Sequence, residues 1–427
     1  MLAVVKRASI NRKTIFSWAL YDFANSSFTT LVVTFVYSAY FTSSIAQDEI
    51  SGTKWWSQGI TLSAILVAVL SPVLGALADA GGRRKAYLMT ATWLSVLGTV
   101  LLFFPKAGDV GIALLVFIFA NVCYELGYVF YNAYLPEIAP PSKIGRISGY
   151  GWGFGYLGGL ICMLLALGCL IRPENPWLGF SRDAGEHIRA TNLLVAGWFA
   201  VFSLPMFIWM PASLGNRSTP SPHPVRAAFK RLKITFHEIR TQYRTIFRFL
   251  IARLIYNDGL ITVFSFGGIY AQLTFGFAME EIIIFGIVLN VAAGIGAWVF
   301  GVVDDRLGAR QTILISLVGL TLATVLAVLT PNKSIFWVAA IFIGLLAGPN
   351  QSASRSLMGR LVPKDKENEF FGFYAFSGKA TSFLGPLLLG QLTTIFDSQR
   401  AGLSSTAAFF IVGGILLFRL KVESSEH

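Results

Sequence analysis

The chain has 427 residues, of which 55% are hydrophobic and only 13% charged, and its formal net charge is +12. A soluble domain carries about 25% charged residues, so the composition excludes a pair of ordinary soluble domains and points to a bilayer as the solvent. The basic excess would suit a nucleic-acid binder in a soluble protein, but its placement along the chain has another explanation, and no nucleic-acid partner is expected.

A bilayer-spanning helix needs about 20 mostly apolar residues. In chain order, apolar runs fall at about 16–41, 57–78, 86–104, 111–135, 147–170, 190–211, 247–273, 282–303, 312–330, 334–356, 370–395 and 403–420. Breakers such as Gly81-Gly82, Pro105, Pro140-Pro141 and Pro331-Asn332 separate most of them. The first run, Ile15 to Phe41, exceeds a signal-peptide core of about 7–15 residues, and Asp22 interrupts it, so it reads as a retained helix. Between the sixth and seventh runs lies a polar segment rich at first in Pro, Ser and Asn. It then carries Arg226, Lys230, Arg231, Lys233, Arg240 and Arg244, and from about Ala227 it predicts a basic amphipathic helix on the membrane surface.

Sorting the 34 Lys and Arg residues by alternate loops places 25 on the side of the termini and linker and 7 on the other, with Arg253 and Lys379 inside helices. The positive-inside rule then puts both termini in the cytoplasm of a multi-pass protein, taken to reside in a bacterial inner (cell) membrane. That asymmetry accounts for most of the net charge. Cys123, Cys162 and Cys169 lie inside apolar runs without metal-ligand spacing and read as packing residues. Neither a metal nor another cofactor is expected.

The two halves also resemble each other. Gly75-Ala-Leu-Ala-Asp79-Ala-Gly-Gly-Arg83-Arg84 after the second run matches Gly301-Val-Val-Asp-Asp305-Arg306-Leu-Gly-Ala-Arg310 after the eighth, 226 positions on. The expected fold is therefore an all-α integral membrane protein of twelve transmembrane helices in two pseudo-symmetric six-helix bundles, a major facilitator fold. The expected units are 1–211, a cytoplasmic basic linker 212–244, and 245–427.

Charges within apolar runs mark function, because one at mid-helix costs about 2.5–3.5 kcal/mol on insertion scales. Asp22, Glu125, Arg253, Asp258 and Lys379 are such charges, on the first, fourth, seventh and eleventh runs. Asp22, Asn25, Ser26 and Thr29 form one polar stripe at helical spacing, and Asn121, Glu125, Tyr128 and Asn132 form another. Arg253 and Asn257 share a face, from which Asp258 points away. The expected substrate and ion site is thus Asp22, Asn25, Glu125, Asn132, Arg253, Asn257, Asp258 and Lys379. Glu125 or Asp258 is the expected proton carrier, since a buried carboxylate is easier to protonate. Lys379 or Arg253 is expected to meet an anionic group of the substrate. Asp79, Arg83, Asp305, Arg306 and Arg310, at the ends of helices, are the expected gate. The glycines 151, 153, 155, 158 and 159 would let the fifth helix approach its neighbours closely.

Several strings resemble the unknown major facilitator family. They are Trp18-Ala-Leu-Tyr-Asp-Phe-Ala-Asn-Ser-Ser-Phe28, Tyr131-Asn-Ala-Tyr-Leu-Pro-Glu137, Gly149-Tyr-Gly-Trp-Gly-Phe-Gly-Tyr-Leu-Gly-Gly159, Ala252-Arg-Leu-Ile-Tyr-Asn-Asp-Gly259, Ser354-Arg-Ser356 and Phe370-Phe-Gly-Phe-Tyr-Ala-Phe-Ser-Gly-Lys-Ala-Thr-Ser-Phe-Leu-Gly-Pro386. That family is similar to fungal vacuolar effluxers of the autophagy pathway, associated with amino-acid export. The resemblance implies a secondary transporter with amino acids or similar small metabolites as candidate substrates; alternating access between the halves of a monomer is the expected mode of action. Ala80 departs from the superfamily loop, where an Arg is common, while the second copy keeps Arg306. A drug or metabolite exporter and a non-transporting nutrient sensor are the alternatives. No His lies within an apolar run and no nucleophile triad is visible, so no enzymatic activity is expected.

Overall fold

The computed structural model describes residues 11–211 and 224–420. The start of the linker, 212–223, and both chain ends lie outside them. In chain order the long helices are α1 (Arg12–Ile45), α2 (Glu49–Gly81), α3 (Arg84–Leu101), α4 (Val110–Asn132), α5 (Ile144–Leu165) and α6 (Glu186–Trp209). A linker helix, Pro224–Thr241, follows. Then come α7 (Arg244–Phe275), α8 (Met279–Leu307), α9 (Ala309–Leu329), α10 (Lys333–Leu361), α11a (Glu367–Lys379), α11b (Leu384–Phe396) and α12 (Gln399–Phe418). Among the described residues, ten helices are long and apolar enough to cross a membrane. The remaining two apolar runs are the 18-residue α3 and the interrupted pair α11a and α11b.

Two departures from the sequence reading are informative. The run 370–395 was expected to be one helix, yet it breaks at residues 380–383. Pro386 has no N–H to give to the preceding turn, which weakens helical continuity there. The run ending at 356 in fact belongs to a helix that continues to Leu361. Arg355, which the loop count treated as flanking, therefore lies within α10.

Two large buried clusters form the interior. One draws on residues between Trp18 and Met210; the other draws on residues between Ile239 and Leu420, joined by Val129 and Ala133. Contacts between these groups are concentrated in two places. α2 lies along α11a, and α5 lies along α8. Backbone approach is close enough at both crossings to require glycine. A Cβ on Gly75 would strike the Asn368 carbonyl, and one on Gly149 would strike the Ala297 carbonyl. Small residues that let helix backbones meet are the usual basis of packing where lipid removes the hydrophobic drive.

Candidate functional site

One pair of deeply buried charges sits between the two groups of helices. Asp22 on α1 accepts from Arg355 Nη1 on α10 at 2.9 Å, with side chains only 4% and 1% exposed. Arg355 also donates to Ser148 Oγ (2.9 Å), the Ser148 carbonyl (2.7 Å), Asn132 Oδ1 (3.2 Å) and Tyr128 Oη (3.5 Å). Its guanidinium stands 4.7, 5.7 and 5.6 Å from the ring centres of Trp18, Tyr131 and Trp152. A planar cation with five donors suits such a cage, since it can be hydrogen-bonded in plane and stacked on its faces. One arginine of α10 is thus held by α1, α4 and α5. Asn25, a helical turn beyond Asp22, is buried and its amide nitrogen makes no hydrogen bond.

A second ion pair bridges α4 and α11a. Lys379 Nζ lies 2.6 Å from Glu125 Oε1, with side chains 32% and 16% exposed. It is more open than the first pair, as expected of groups that border a wet space. On α7, Arg253 is buried without a carboxylate among its hydrogen-bond partners. It donates to the Tyr374 carbonyl (2.7 Å) and Ser377 Oγ (2.8 Å), and its guanidinium stacks 3.6 Å from the Tyr374 ring centre. Asn257 donates to the Gly378 carbonyl at 3.1 Å. Asn257 thus serves one of the last four carbonyls of α11a, which lack an intrahelical donor, while Arg253 lies one turn earlier, near the negative end of the helix dipole. Asp258 faces elsewhere, is 1% exposed, and neither of its carboxylate oxygens has a hydrogen-bond partner among the described residues.

The crossings of α2 with α11a and of α5 with α8 are locked by a repeated device. Asp79 accepts from the backbone N–H groups of Asn368 (3.2 Å) and Glu369 (2.8 Å), the second and third residues of α11a. Asp305 accepts from those of Gly145 (2.9 Å) and Arg146 (3.3 Å), the second and third residues of α5. Each aspartate thus caps a helix of the other half, satisfying orphan donors and opposing the positive end of the dipole. The receiving positions are 223 residues apart, nearly the 226 that separates the two aspartates.

The arginines are distributed differently from the sequence reading. Arg83 and Arg306 are exposed. Arg84 is buried instead, donating to Glu137 (2.6 Å), the Ala133 carbonyl (2.9 Å), Glu367 (3.2 Å) and Asn368 (2.8 Å). The reason is local. Gly82 takes a left-handed φ of 57°, so the chain turns before α3 starts and Arg84, the first residue of α3, points inward in place of Arg83. Arg310 does not cross between halves; it donates to the Leu417 and Phe418 carbonyls and closes the end of α12. Arg146 pairs with Asp305 at 2.5 Å, and Arg360 with Asp304 at 2.8 Å. Arg84, Glu137, Arg146, Asp304, Arg355, Arg360 and Glu367 were absent from the sequence-predicted site.

A membrane bundle whose two groups of helices meet through buried charges and reciprocal helix caps has the fold of major facilitator transporters. Solved structures of similar fold include FucP in the outward conformation (TM-score 0.76, 13% identity, covering 97% of this chain and 99% of that one). The proton:xylose symporter XylE is another (TM-score 0.74, 12% identity, 95% of each chain). The chain belongs to the vacuole effluxer Atg22-like family, whose model matches residues 57–427, and so to a family of MFS-type transporters. Among its relatives is an uncharacterized MFS-type transporter, YxiO, of Bacillus subtilis (strain 168), 29% identical over 96% of this chain and 95% of that protein. Autophagy-related protein 22 of Eremothecium gossypii is 25% identical over 86% of this chain and 78% of its own length.

Proposed function

We propose that the protein is a secondary active transporter that moves a small solute, an amino acid or similar metabolite, by alternating access of its two six-helix halves, 1–211 and 245–427. The observation that carries this reading is the Glu125–Lys379 pair, a partly exposed acid and base placed between α4 and α11a. A zwitterion can replace such a pair charge for charge, its ammonium group meeting Glu125 and its carboxylate meeting Lys379. A solute of one sign would leave a partner uncompensated in a low-dielectric site, which is costly. Arg253 extends the basic side of the site.

Transport is coupled to protons through Glu125 or Asp258, two acidic groups within the bundle. Asp22 and Arg355, with Asp79, Asp305 and their partners, hold one end shut. That end carries most of the basic loops, so it faces the cytoplasm of a bacterial cell membrane, with both termini on that side. The protein works as a monomer, and 212–244 connects the halves.

The test is uptake of a labelled metabolite panel into proteoliposomes, with and without a pH gradient. Gradient-driven flux of a zwitterion is expected, and Glu125→Gln or Asp258→Asn is expected to abolish the drive while sparing exchange. Flux of no solute alongside specific binding would favour a sensor and defeat the proposal. PH-independent flux in the wild type would defeat proton coupling.

A further inference from the structure

Asp258 stands apart from the other intramembrane charges. Asp22 has Arg355 and Glu125 has Lys379, whereas Asp258, both of whose carboxylate oxygens are buried, has no charged partner among the described residues. Arg253 offers no compensation, because its guanidinium is turned to Tyr374 and Ser377. What faces Asp258 is the break between α11a and α11b. Thr381, within the break, is the side chain near enough to act on the carboxylate, though outside the geometry of a formed hydrogen bond, and its hydroxyl oxygen is likewise buried. Gly385, in the first turn of α11b, brings the chain just past the break against α7 so tightly that a Cβ there would strike Thr262 Oγ1 and come within 2.8 Å of the Asp258 carbonyl. Pro386 lacks an N–H, so the Ser382 carbonyl has no helical donor four residues on.

These features gather oxygen atoms with no N–H donor to serve them. Interrupted membrane helices elsewhere use unwound carbonyls for binding small cations, and hard cations prefer oxygen ligands. We propose that Asp258 and Thr381, at the break in α11, form the core of a binding site for one sodium ion. A proton would neutralise the carboxylate while engaging a single oxygen; a sodium ion draws on all three side-chain oxygens and on the unwound main chain. The proposal leaves Glu125 as the proton carrier. It rests on the transporter reading only for the role of the ion, since binding is measurable without flux.

The experiment is thermal unfolding of the purified full chain in sodium chloride and in choline chloride at equal ionic strength. Sodium is expected to raise Tm for the wild type and for Thr381→Ser. Asp258→Asn should lose the shift, and Thr381→Val should need about tenfold more sodium for the same shift. Equal Tm in the two salts for the wild type, or an unchanged sodium response in Thr381→Val, would overturn the site. Should Asp258→Asn fail to fold, Thr381→Val alone decides. A Tm that responds to pH and not to sodium also overturns it, and leaves the transporter reading to be judged by the flux assay.

Discussion

The Asp22–Arg355 pair offers the sharpest test of how the halves are held. Asp22 belongs to α1 and Arg355 to α10, and the cage around the guanidinium is otherwise built from α4 and α5. In the alternating-access reading proposed above, parting the halves at this end draws the arginine out of its cage. Asp22→Asn keeps the shape but removes the only carboxylate bonded to Arg355 among the described residues. Breaking a buried pair from one side costs about 3–5 kcal/mol. The lower figure applies here, because Ser148, Asn132, Tyr128 and three aromatic rings still hold the guanidinium. If that cost falls on the closed state alone, about 3 kcal/mol shifts the closed-to-open ratio by roughly a hundredfold.

The assay is a distance measurement between spin labels at Arg83→Cys and Lys364→Cys, two exposed positions on opposite sides of the closed end, in a background without the three native cysteines. The parent should give one short distance, and Asp22→Asn a dominant longer one. Asp22→Asn combined with Arg355→Met removes both charges and should restore most thermal stability, because a missing pair costs far less than a widowed charge. A distance distribution unchanged by Asp22→Asn would refute the reasoning. So would a double variant whose loss of stability equals the sum of the single losses.

Three further outcomes follow from the same geometry. Arg84→Ala should lower stability by about 3 kcal/mol, since it strands Glu137 and Glu367, whereas Arg83→Ala should stay within about 0.5 kcal/mol; thermal melts of the two side by side check this. Gly75→Val should force α2 from α11a at a cost of about 1–3 kcal/mol, read as faster thiol labelling of a cysteine placed at Asn368. Lys379→Ala should weaken zwitterion affinity in binding assays about tenfold or more, and Lys379→Ala with Glu125→Gln should recover stability that Lys379→Ala alone loses.

Much of this arrangement was legible in the sequence, and the exceptions have physical causes. Apolar runs locate the helices because a bilayer demands about 20 such residues per span whatever the partners. The Asp79 and Asp305 repeat was visible because both cap N–H groups, a task that fixes residue type. Arg355 was not visible as a site residue. Its run seemed to end at 356, and only an aspartate 333 positions earlier and three aromatic rings explain why an arginine is buried there. Arg84 was passed over for Arg83 because a one-residue change of face depends on the left-handed turn at Gly82.

The break in α11 shows the same limit from the other side. Gly378, Ser382, Gly385 and Pro386 are all present in the sequence, yet an apolar stretch with these residues also suits a continuous membrane helix. What separates the outcomes is α7. Asn257 satisfies a carbonyl at the end of α11a and Arg253 bonds one a turn earlier, while Asp258 stands where the chain resumes. Irregular backbone survives at membrane depth only where protein or a hydrated cavity serves its polar groups. The interruption is therefore a property of the α7–α11 pair. Substituting Asn257 by Leu should loosen α11a at its end without touching the Glu125–Lys379 pair directly, which separates support of the break from contact with the solute.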